Sequence, residues 1–592
     1  MRLPHALLIS LLVLTLAGGC RERRLMKKPP PEVFEGVIDT SGTVLEKGKR
    51  GGSMVRADIL ELDTLNPVTT TSRSVYEVLG LVFEGLLSIH PVTGEIQGSI
   101  AREYSVVNNG YSVVLFLNEV LFSDGTPCTV DDVIYTYEEI YMNPDVNTNK
   151  GDLLRIRERE VSIEKLDDYT VRFDLPVPFR PFLLTLAHIP ILPRHILEPL
   201  IESDGVDGLN ESWGSLDRSH TDVIGTGPYM IHGLERGKNL VLRRNPLYNR
   251  REGGLYLEGM PYLDEIVELL DEDSESKILK FQIGELDFYR VRDIDIESGD
   301  LEVILMNREE GGYSLYSAGQ TLRSNHFLTF NLNTNTVEPE KLSVFQNRLF
   351  REAVIRLIDR ESLLEEVYGG YGYIDESPER NVSPFHLEHE PYPFDAEEAG
   401  RLLDEAGLHD RNGDGFRDLP SGKPFSFTLT TNEDNPFRVR MGEIITPRLR
   451  DAGLDVSFKP ADYDTIVTDL LDLFGWETVI LGVYSKTDPN DTSRIWESSG
   501  SLHVWFPYQQ EAGTEWERRV DELFALGRTT WSIDKAREYY EEYQRIIMRE
   551  LPLINLIIPA EIYGLRNGYR NTAFSSVTYN SLGLVPYLYR DD

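Results

Sequence analysis

Two stretches concentrate side chains that could hold a metal ion. His386-Leu387-Glu388-His389-Glu390 sets two imidazoles and two carboxylates within five residues, a donor set that suits zinc or nickel. It lies between Ser383-Pro384 and Pro391-Tyr392-Pro393, and a polar loop is the simpler account. Further on, Asp410, Asn412, Asp414 and Asp418 occupy positions one, three, five and nine of an oxygen-rich loop with Gly415 at position six, as calcium loops do. Position twelve, which should be a bidentate Glu, is Ser421. The spacing therefore predicts at most a weak Ca²⁺ site, beside the alternative of a solvated Asp-Gly turn. No other cofactor is expected.

Signatures of catalysis are missing from the sequence: no G-x-S-x-G, no H-E-x-x-H and no P-loop. Gly225-Thr226-Gly227-Pro228-Tyr229 opens like a dinucleotide loop but lacks the third glycine, and reads as a tight turn entering a strand. The acid pairs Asp131-Asp132 and Glu541-Glu542 cannot converge on one site from adjacent helical positions; they read as a cap and a solvated face. Aromatic clusters at Trp496–Tyr508 and Tyr135–Tyr141 read first as core.

The elements that must position these residues are mixed. Strands are expected at Met54–Leu62, Tyr111–Leu117, Thr170–Leu175, Tyr229–His232 and Leu240–Arg243. A helix is expected over Ser74–Leu87, where Val75, Leu79, Val82, Phe83 and Leu86 recur at helical spacing. Another runs from a Thr129 N-cap to about Met142, with further helices at Val344–Val367, Ala396–Ala406, Arg438–Asp451 and Asp534–Glu550. The fold class is α/β with α+β mixing. At ~150 residues per domain, 592 residues make roughly three to four domains. The 98 acidic and 60 basic side chains leave a net charge of -38. That sign opposes nucleic acids and anionic membranes as partners of the body of the chain, and otherwise reads as a solvated surface.

Two cysteines are too few for a disulfide framework. Cys128, in Gly-Thr-Pro-Cys-Thr, reads as a packed thiol. Cys20 follows a cationic start, the apolar run Ala6–Leu16 and the small residues Ala17-Gly18-Gly19. Eleven residues fall short of the ~20 that span a bilayer, so residues 1–19 read as an export signal. Small residues before a cysteine resemble a bacterial lipobox, although Ala17 stands where Leu is usual. The resemblance implies a lipid on Cys20. Residues 20–49, with five cations and one Glu between Arg21 and Lys28 and then Pro29-Pro30-Pro31, read as a flexible tether from that anchor.

Several segments, in order, resemble the bacterial extracellular solute-binding proteins of family 5, which serve peptide and nickel ABC importers. Gly51-Gly52-Ser53 leading to Leu65-Asn66-Pro67 resembles the opening strand and turn, and Tyr76–Leu87 the segment that follows. Phe122-Ser123-Asp124-Gly125-Thr126-Pro127 with Thr129–Val133 is the most recognisable motif. Gly225–Tyr229 with Arg244-Asn245-Pro246-Leu247-Tyr248 is next. Phe330–Asn333, Arg351-Glu352-Ala353, Ile358-Asp359-Arg360, Gly369-Gly370-Tyr371, Ala399–Gly407, Asp414-Gly415 and Leu551-Pro552-Leu553 continue the series.

The resemblance implies a two-lobed periplasmic-binding-protein-like fold with an inserted domain. One lobe would combine 50–92, 219–318 and 546–592, the inserted domain would be 93–218, and the other lobe 319–545. It implies a monomeric, non-enzymatic, exported receptor at the periplasmic or extracellular face of a membrane. Such a receptor captures an oligopeptide or related small solute and passes it to ABC permease subunits. Metal-chelate uptake through 386–390 and an exported hydrolase using paired carboxylates are the alternatives. The residues that face ligand in the family match Thr71, Ser72, Arg73 and Ser74, and the segment Tyr484, Ser485, Lys486 and Asp488. Peptide binders in the family place an Asp four residues before a Pro to pair with the ligand's ammonium, with a Trp three residues earlier. Here those positions are Ser485 and Gly482. Asp488 is the available substitute anion, and Arg73 with Lys486 could instead hold a carboxylate or phosphate.

Overall fold

One strand, Leu553–Arg566, runs through the middle of the largest sheet. Its sequence, Leu-Ile-Asn-Leu-Ile-Ile-Pro-Ala-Glu-Ile-Tyr-Gly-Leu-Arg, is apolar with little alternation, as expected of a strand covered on both faces, and nearly all of it is buried. Its first half pairs antiparallel with Asn325–Phe330 and its second half with Tyr313–Gln320. Beyond Asn325–Phe330 the sheet continues through Thr478–Val483, Ser426–Thr430 and Asp455–Phe458, and beyond Tyr313–Gln320 it ends on Val37–Asp39. This computed structural model describes residues 34–591 apart from 41, 59–60, 249–250, 271–272, 293–294, 297–298 and 578–581. The export signal, Cys20 and the basic, proline-rich stretch lie outside the described residues.

Two smaller sheets complete the framework. Ser53–Arg56, Glu265–Leu269, Asn239–Arg244 and Tyr229–Glu235 form one; Ala101–Val107, Ser112–Leu117, Thr170–Asp174 and Ser162–Asp167, in that spatial order, form an antiparallel sheet. The strand at its edge, Ser162–Asp167, is mostly exposed, whereas Ser112–Leu117 is largely buried. An aromatic nucleus of Phe330, Phe345, Phe350, Phe425 and Phe427, with ring centroids 5.0–6.3 Å apart, fills one side of the large sheet. Among the described residues no helix is long and apolar enough to cross a membrane.

Local chemistry sets many of the expected boundaries. Thr129 caps Val130–Ile134 through a reciprocal box with Asp132, and the chain continues as a π-helical turn over Tyr135–Tyr141 rather than an α-helix to Met142. The single helix expected over Val344–Val367 is two, Arg348–Leu357 and Arg360–Tyr368, preceded by Pro339–Gln346. The side chains of Asn347 and Asp359 break the run by capping the next turn.

The largest departure is at Ser74–Leu87, where the helix spans only Arg73–Leu79. The Leu81 and Val82 carbonyls accept hydrogen bonds from Tyr229 N–H and Gly227 N–H at 2.9 and 2.8 Å. Pairing with a distant segment therefore overrides the helical periodicity. The same contact explains the Gly-Thr-Gly motif: a Cβ at Gly225 would stand 2.1 Å from the Val82 carbonyl oxygen, and one at Gly227 2.6 Å. Residues 34–48, expected to belong to the tether, are also held to the fold. Val37–Asp39 pairs with Leu315–Ser317, and Thr40 Oγ1 donates to Ser317 O and Phe574 O.

Gly225→Ala, which forces two backbones apart, is expected to lower stability by about 2–3 kcal/mol. Urea unfolding followed by tryptophan fluorescence checks it, with the exposed Gly475→Ala, whose Cβ would meet nothing nearer than 3.8 Å, serving as the mild comparison.

Candidate functional site

The turn that precedes Arg73–Leu79 is organised by one carboxylate. Asp63 accepts from Thr70 Oγ1 and from the N–H groups of Thr71 and Ser72 at 2.8–3.3 Å, which fixes 70–72 and sends Arg73 outward, where Nε donates to Glu77 at 2.9 Å. Arg73, Tyr76 and Glu77 line a cavity of about 590 Å³, within the range of small-ligand sites. His188 faces them, with Tyr76 Oη donating to its backbone carbonyl. Lys486, Thr487 and Asp491, from a segment distant in sequence, line the same cavity. Leu87, Ile89, Leu184, Leu255, Leu322 and Tyr587 supply apolar wall.

The cavity is accessible but deeply set. His188 keeps exposed surface in it, yet the surrounding protein, then the charges of Lys486 and Lys150, lower its pKa to about 4. Asp491 is likewise accessible, and its depth, reinforced by Asp488, raises it to about 7 against the pull of Lys486 and Arg180. Behind the wall, Lys150 packs 3.6 Å above the Tyr76 ring and donates to Pro67 O at 3.0 Å. Burial lowers its pKa to about 7. Groups with displaced pKa values therefore gather around the cavity.

The residues expected around 484–488 divide. Lys486 reaches the cavity with Arg73, as expected of a pair of cations. Tyr484 is 63% exposed and Ser485 is buried with its N–H on Leu322 O; neither lines the cavity. Asp488, proposed as a substitute anion for a ligand ammonium, is committed elsewhere. Its Oδ2 accepts from Arg180 Nη1 at 2.7 Å with both side chains buried, and Oδ1 caps Asn490. Arg180 is stacked on Phe385 and Tyr540, 5.0 and 5.9 Å from their ring centres, and its N–H donates to Arg528 O. The pair thus welds the 175–181 loop to the 485–540 region.

A second buried acid supports the same region. Glu379 accepts from Tyr543 Oη at 3.0 Å, and burial, aided by Asp488, raises its pKa to about 8 in spite of that hydrogen bond and of Arg380. A second cavity, of about 530 Å³, adjoins the first: Arg73 and Glu77 line both, and Thr71, Ser72, Ser74, Lys277, Arg290, Arg292 and Arg323 line the second. Sequence reasoning missed Tyr76, His188, Asp491, Lys277, Arg290 and Arg323. Each reaches its place through tertiary packing, and only the alternation in Arg290-Val291-Arg292 hinted at a basic face.

The two metal-like stretches are tied into the fold by other bonds. Asp410 accepts from Gly413 and Gly415 N–H, Asp414 from Phe416 N–H and Asp418 from Arg411 N–H. Asn412 Oδ1 accepts from Asp414 N–H, and Ser421 bonds to Glu340. His389 bonds Glu376 at 2.8 Å, Glu376 pairs with Arg360, and His386 meets the Glu379 carbonyl. Among the described residues no group of three or more His, Cys, Asp or Glu is arranged to hold a metal ion.

Residues 95–501 match the profile of "Bacterial extracellular solute-binding proteins, family 5 Middle". A Deinococcus radiodurans protein named "Probable ABC transporter-binding protein" is 26% identical over 529 residues, 86% of each chain. The oligopeptide-binding protein AppA of Bacillus subtilis is 25% identical over 513 residues, 85% of each chain. Its structure with a nonapeptide superimposes with a TM-score of 0.61, covering 92% of this chain and all of that one. A structure of an oligopeptide-binding protein OppA gives a TM-score of 0.75 at 19% identity, covering 94% and 92%. The fold is that of these two-lobed binding proteins.

Removing one partner of the Arg180–Asp488 pair strands a buried charge. Arg180→Ala is expected to lose about 3–5 kcal/mol, with Asp488→Ala in the same chain recovering part of it, read by urea unfolding at neutral pH. Glu379 gives a pH test. The unfolded chain releases this proton near 4.5 and the folded chain near 8, so its contribution is full below about 4.5 and lost as pH rises through 8. Glu379→Gln removes that decline; melting curves of both proteins between pH 5 and 9 check it.

Proposed function

Because the chain belongs to the bacterial extracellular solute-binding proteins of family 5, we propose that it is the substrate-binding receptor of an ABC importer, with an oligopeptide as ligand. The observation that carries this reading is the cavity of about 590 Å³ to which Arg73 and Tyr76, His188, and Lys486 with Asp491 contribute from three separated stretches of sequence. A ligand seated there touches all three stretches at once. It therefore stabilises their closed arrangement by the difference in its affinity for closed and open forms. The groups around it bind and orient; none of them forms a nucleophile–base pair. That a relative 25% identical over 85% of each chain is named an oligopeptide-binding protein favours a peptide over a metal chelate.

The division of labour follows the same reading. Segments 50–92, 219–318 and 546–592 make one lobe, 319–545 the other, and 93–218 an inserted domain. With Asp488 held by Arg180, ligand capture does not use a buried carboxylate at that position, and the cations Arg73 and Lys486 take the leading part. Delivery to a permease fits a chain tethered near the membrane. The small residues before Cys20 and the five cations after it support a lipid anchor there, with two or more acyl chains giving firm attachment.

Native mass spectrometry of the protein purified from its envelope is expected to reveal bound peptides. A defined peptide library is expected to raise Tm without any peptide being cleaved. A ligand at a hundredfold excess over its Kd adds about 2.7 kcal/mol. Absence of any shift across the library would overturn the peptide assignment, and turnover of a peptide would favour a hydrolase.

A further inference from the structure

Most of the buried side chains fall into two large cores, and a salt bridge crosses between them. Val113, Phe173 and Phe182 of segment 93–218 share a core with Val82 and Leu86, whereas Phe385 and Tyr540 belong to the core that holds Phe330 and Phe345. Main-chain hydrogen bonds tie segment 93–218 to its own side. Ile191 N–H donates to Glu84 O, Ala101 N–H to Leu86 O and Ser123 N–H to Gly225 O, all at 2.8–2.9 Å. Toward the other core the segment extends Arg180. That side chain is buried among Asp488, Phe385 and Tyr540, and its backbone N–H donates to Arg528 O at 2.8 Å. Trp531 crosses the other way: it follows the helix Glu515–Thr529 yet packs against the core of Val113 and Phe173. Gly110 makes room for it, since a Cβ there would stand 2.4 Å from Trp531 Nε1.

The exchange borders the cavity of about 590 Å³. Arg180 stands just ahead of the helix Phe182–His188, whose Leu184, Ala187 and His188 line one wall. Asp488 lies between Lys486 and Asp491, which line the facing wall. Contact between Arg180 and Asp488 therefore sets how near two walls of the cavity stand. The contact also differs in kind from a core. A buried ion pair gains from its mutual attraction about what its members give up in leaving water, so the two can part into solvent and meet again at small net cost. Trp531 Nε1 is buried without a hydrogen bond and regains one from water when the contact opens, which offsets part of the exposure of its ring.

We propose that Arg180 and Trp531 are positioning residues that form a reciprocal clasp, which holds segments 93–218 and 319–545 together beside the cavity and parts to let ligand in and out. The proposal rests on the receptor reading and deepens it. Neither residue lines the cavity; each acts through the wall it holds. Closure then has a fixed stopping point, and release of a bound solute waits for the clasp to part.

Lost stability in an Arg180 variant fits a fixed joint as well as a clasp, so the test reads opening itself, by hydrogen–deuterium exchange of the full chain without added ligand. The Arg180 N–H, bonded across the contact to Arg528 O, reports it directly. In the wild type it is expected to exchange at least tenfold faster than the amides of the core strands Ser112–Leu117 and Leu553–Arg566. Trp531→Leu is expected to speed the Arg180 amide, and Arg180→Gln the amides of 108–111, each at least tenfold, with both core strands unchanged. Arg180→Lys, which keeps a charge for Asp488, is expected to fall between. Trp531→Leu, at a half-buried position, serves alone if Arg180→Gln does not fold. An Arg180 amide as slow as the core strands marks a fixed joint and overturns the clasp, as does exchange unaltered in the variants. Peptides of a tryptic casein digest that the wild type retains through desalting are expected to leave both variants at least tenfold faster, followed by native mass spectrometry. Equal retention overturns the clasp's part in capture and leaves the peptide reading standing. If the wild type retains no casein peptide, the peptide reading fails, and the exchange rates decide the clasp by themselves.

Discussion

The structure depends on a single continuous strand serving two partners. Leu553–Arg566 gives its first residues to Asn325–Phe330 and its last to Tyr313–Gln320. These two strands are consecutive in sequence and joined only by Thr321–Ser324. Where the partners change over, buried polar side chains bond to one another and to the 375–377 loop. Thr321 Oγ1 donates to Glu561, Gln320 Nε2 to Asp375 at 2.8 Å, and Asn555 Nδ2 to the carbonyls of Asp375 and Ser377. A buried network of this kind favours one arrangement of the chain. It also anchors the 375–381 loop, which carries Glu379 and Arg380 beneath the Arg180–Asp488 contact.

Charge is handled in three ways around that spine. Some buried ions are matched by opposite charges: Arg56 with Glu268, Arg180 with Asp488, Arg360 with Glu376. Pairs like these add little net stability over apolar residues but are severe to break, so they act as fixed points. A second set, His188, Lys150, Glu379 and Asp491, is displaced in pKa because depth opposes the charged form. The third set, Lys277 with Arg73, Arg290, Arg292 and Arg323, gathers five cations around one cavity. The chain's net charge of -38 gives no hint of this local reversal, since a bulk sum does not register a few inward-facing cations.

What was legible in the sequence was what local chemistry controls. Thr129 before Val130-Asp131-Asp132 announces a helix start that the structure keeps. Arg438–Asp451 and Asp534–Glu550 were misplaced by two residues and one. The Ser74–Leu87 helix failed because Leu81 and Val82 spend their carbonyls on Gly227 and Tyr229, a decision made more than 140 residues away. At the site, resemblance led to Thr71–Ser74 and Lys486. It could not reveal that Asp488 belongs to Arg180, which lies 308 positions earlier in the chain and is brought beside it only by folding. Lys277 carried no signal, because a surface lysine and a cavity lysine look alike in one dimension.

The position of Leu553–Arg566 near the end of the sequence has a consequence for the order of events in the cell. The large sheet acquires its centre last. Until that strand emerges, Tyr313–Gln320 and Asn325–Phe330 each present an open, largely apolar edge, and nothing made earlier can take its place. Folding from the front of the chain therefore stalls short of completion, with long-range pairing deferred until Leu553–Arg566 follows its partner strands. For a polypeptide bound for the cell exterior, the delay keeps the chain threadable until it has crossed, while making those two edges the places where holdase chaperones have most to cover.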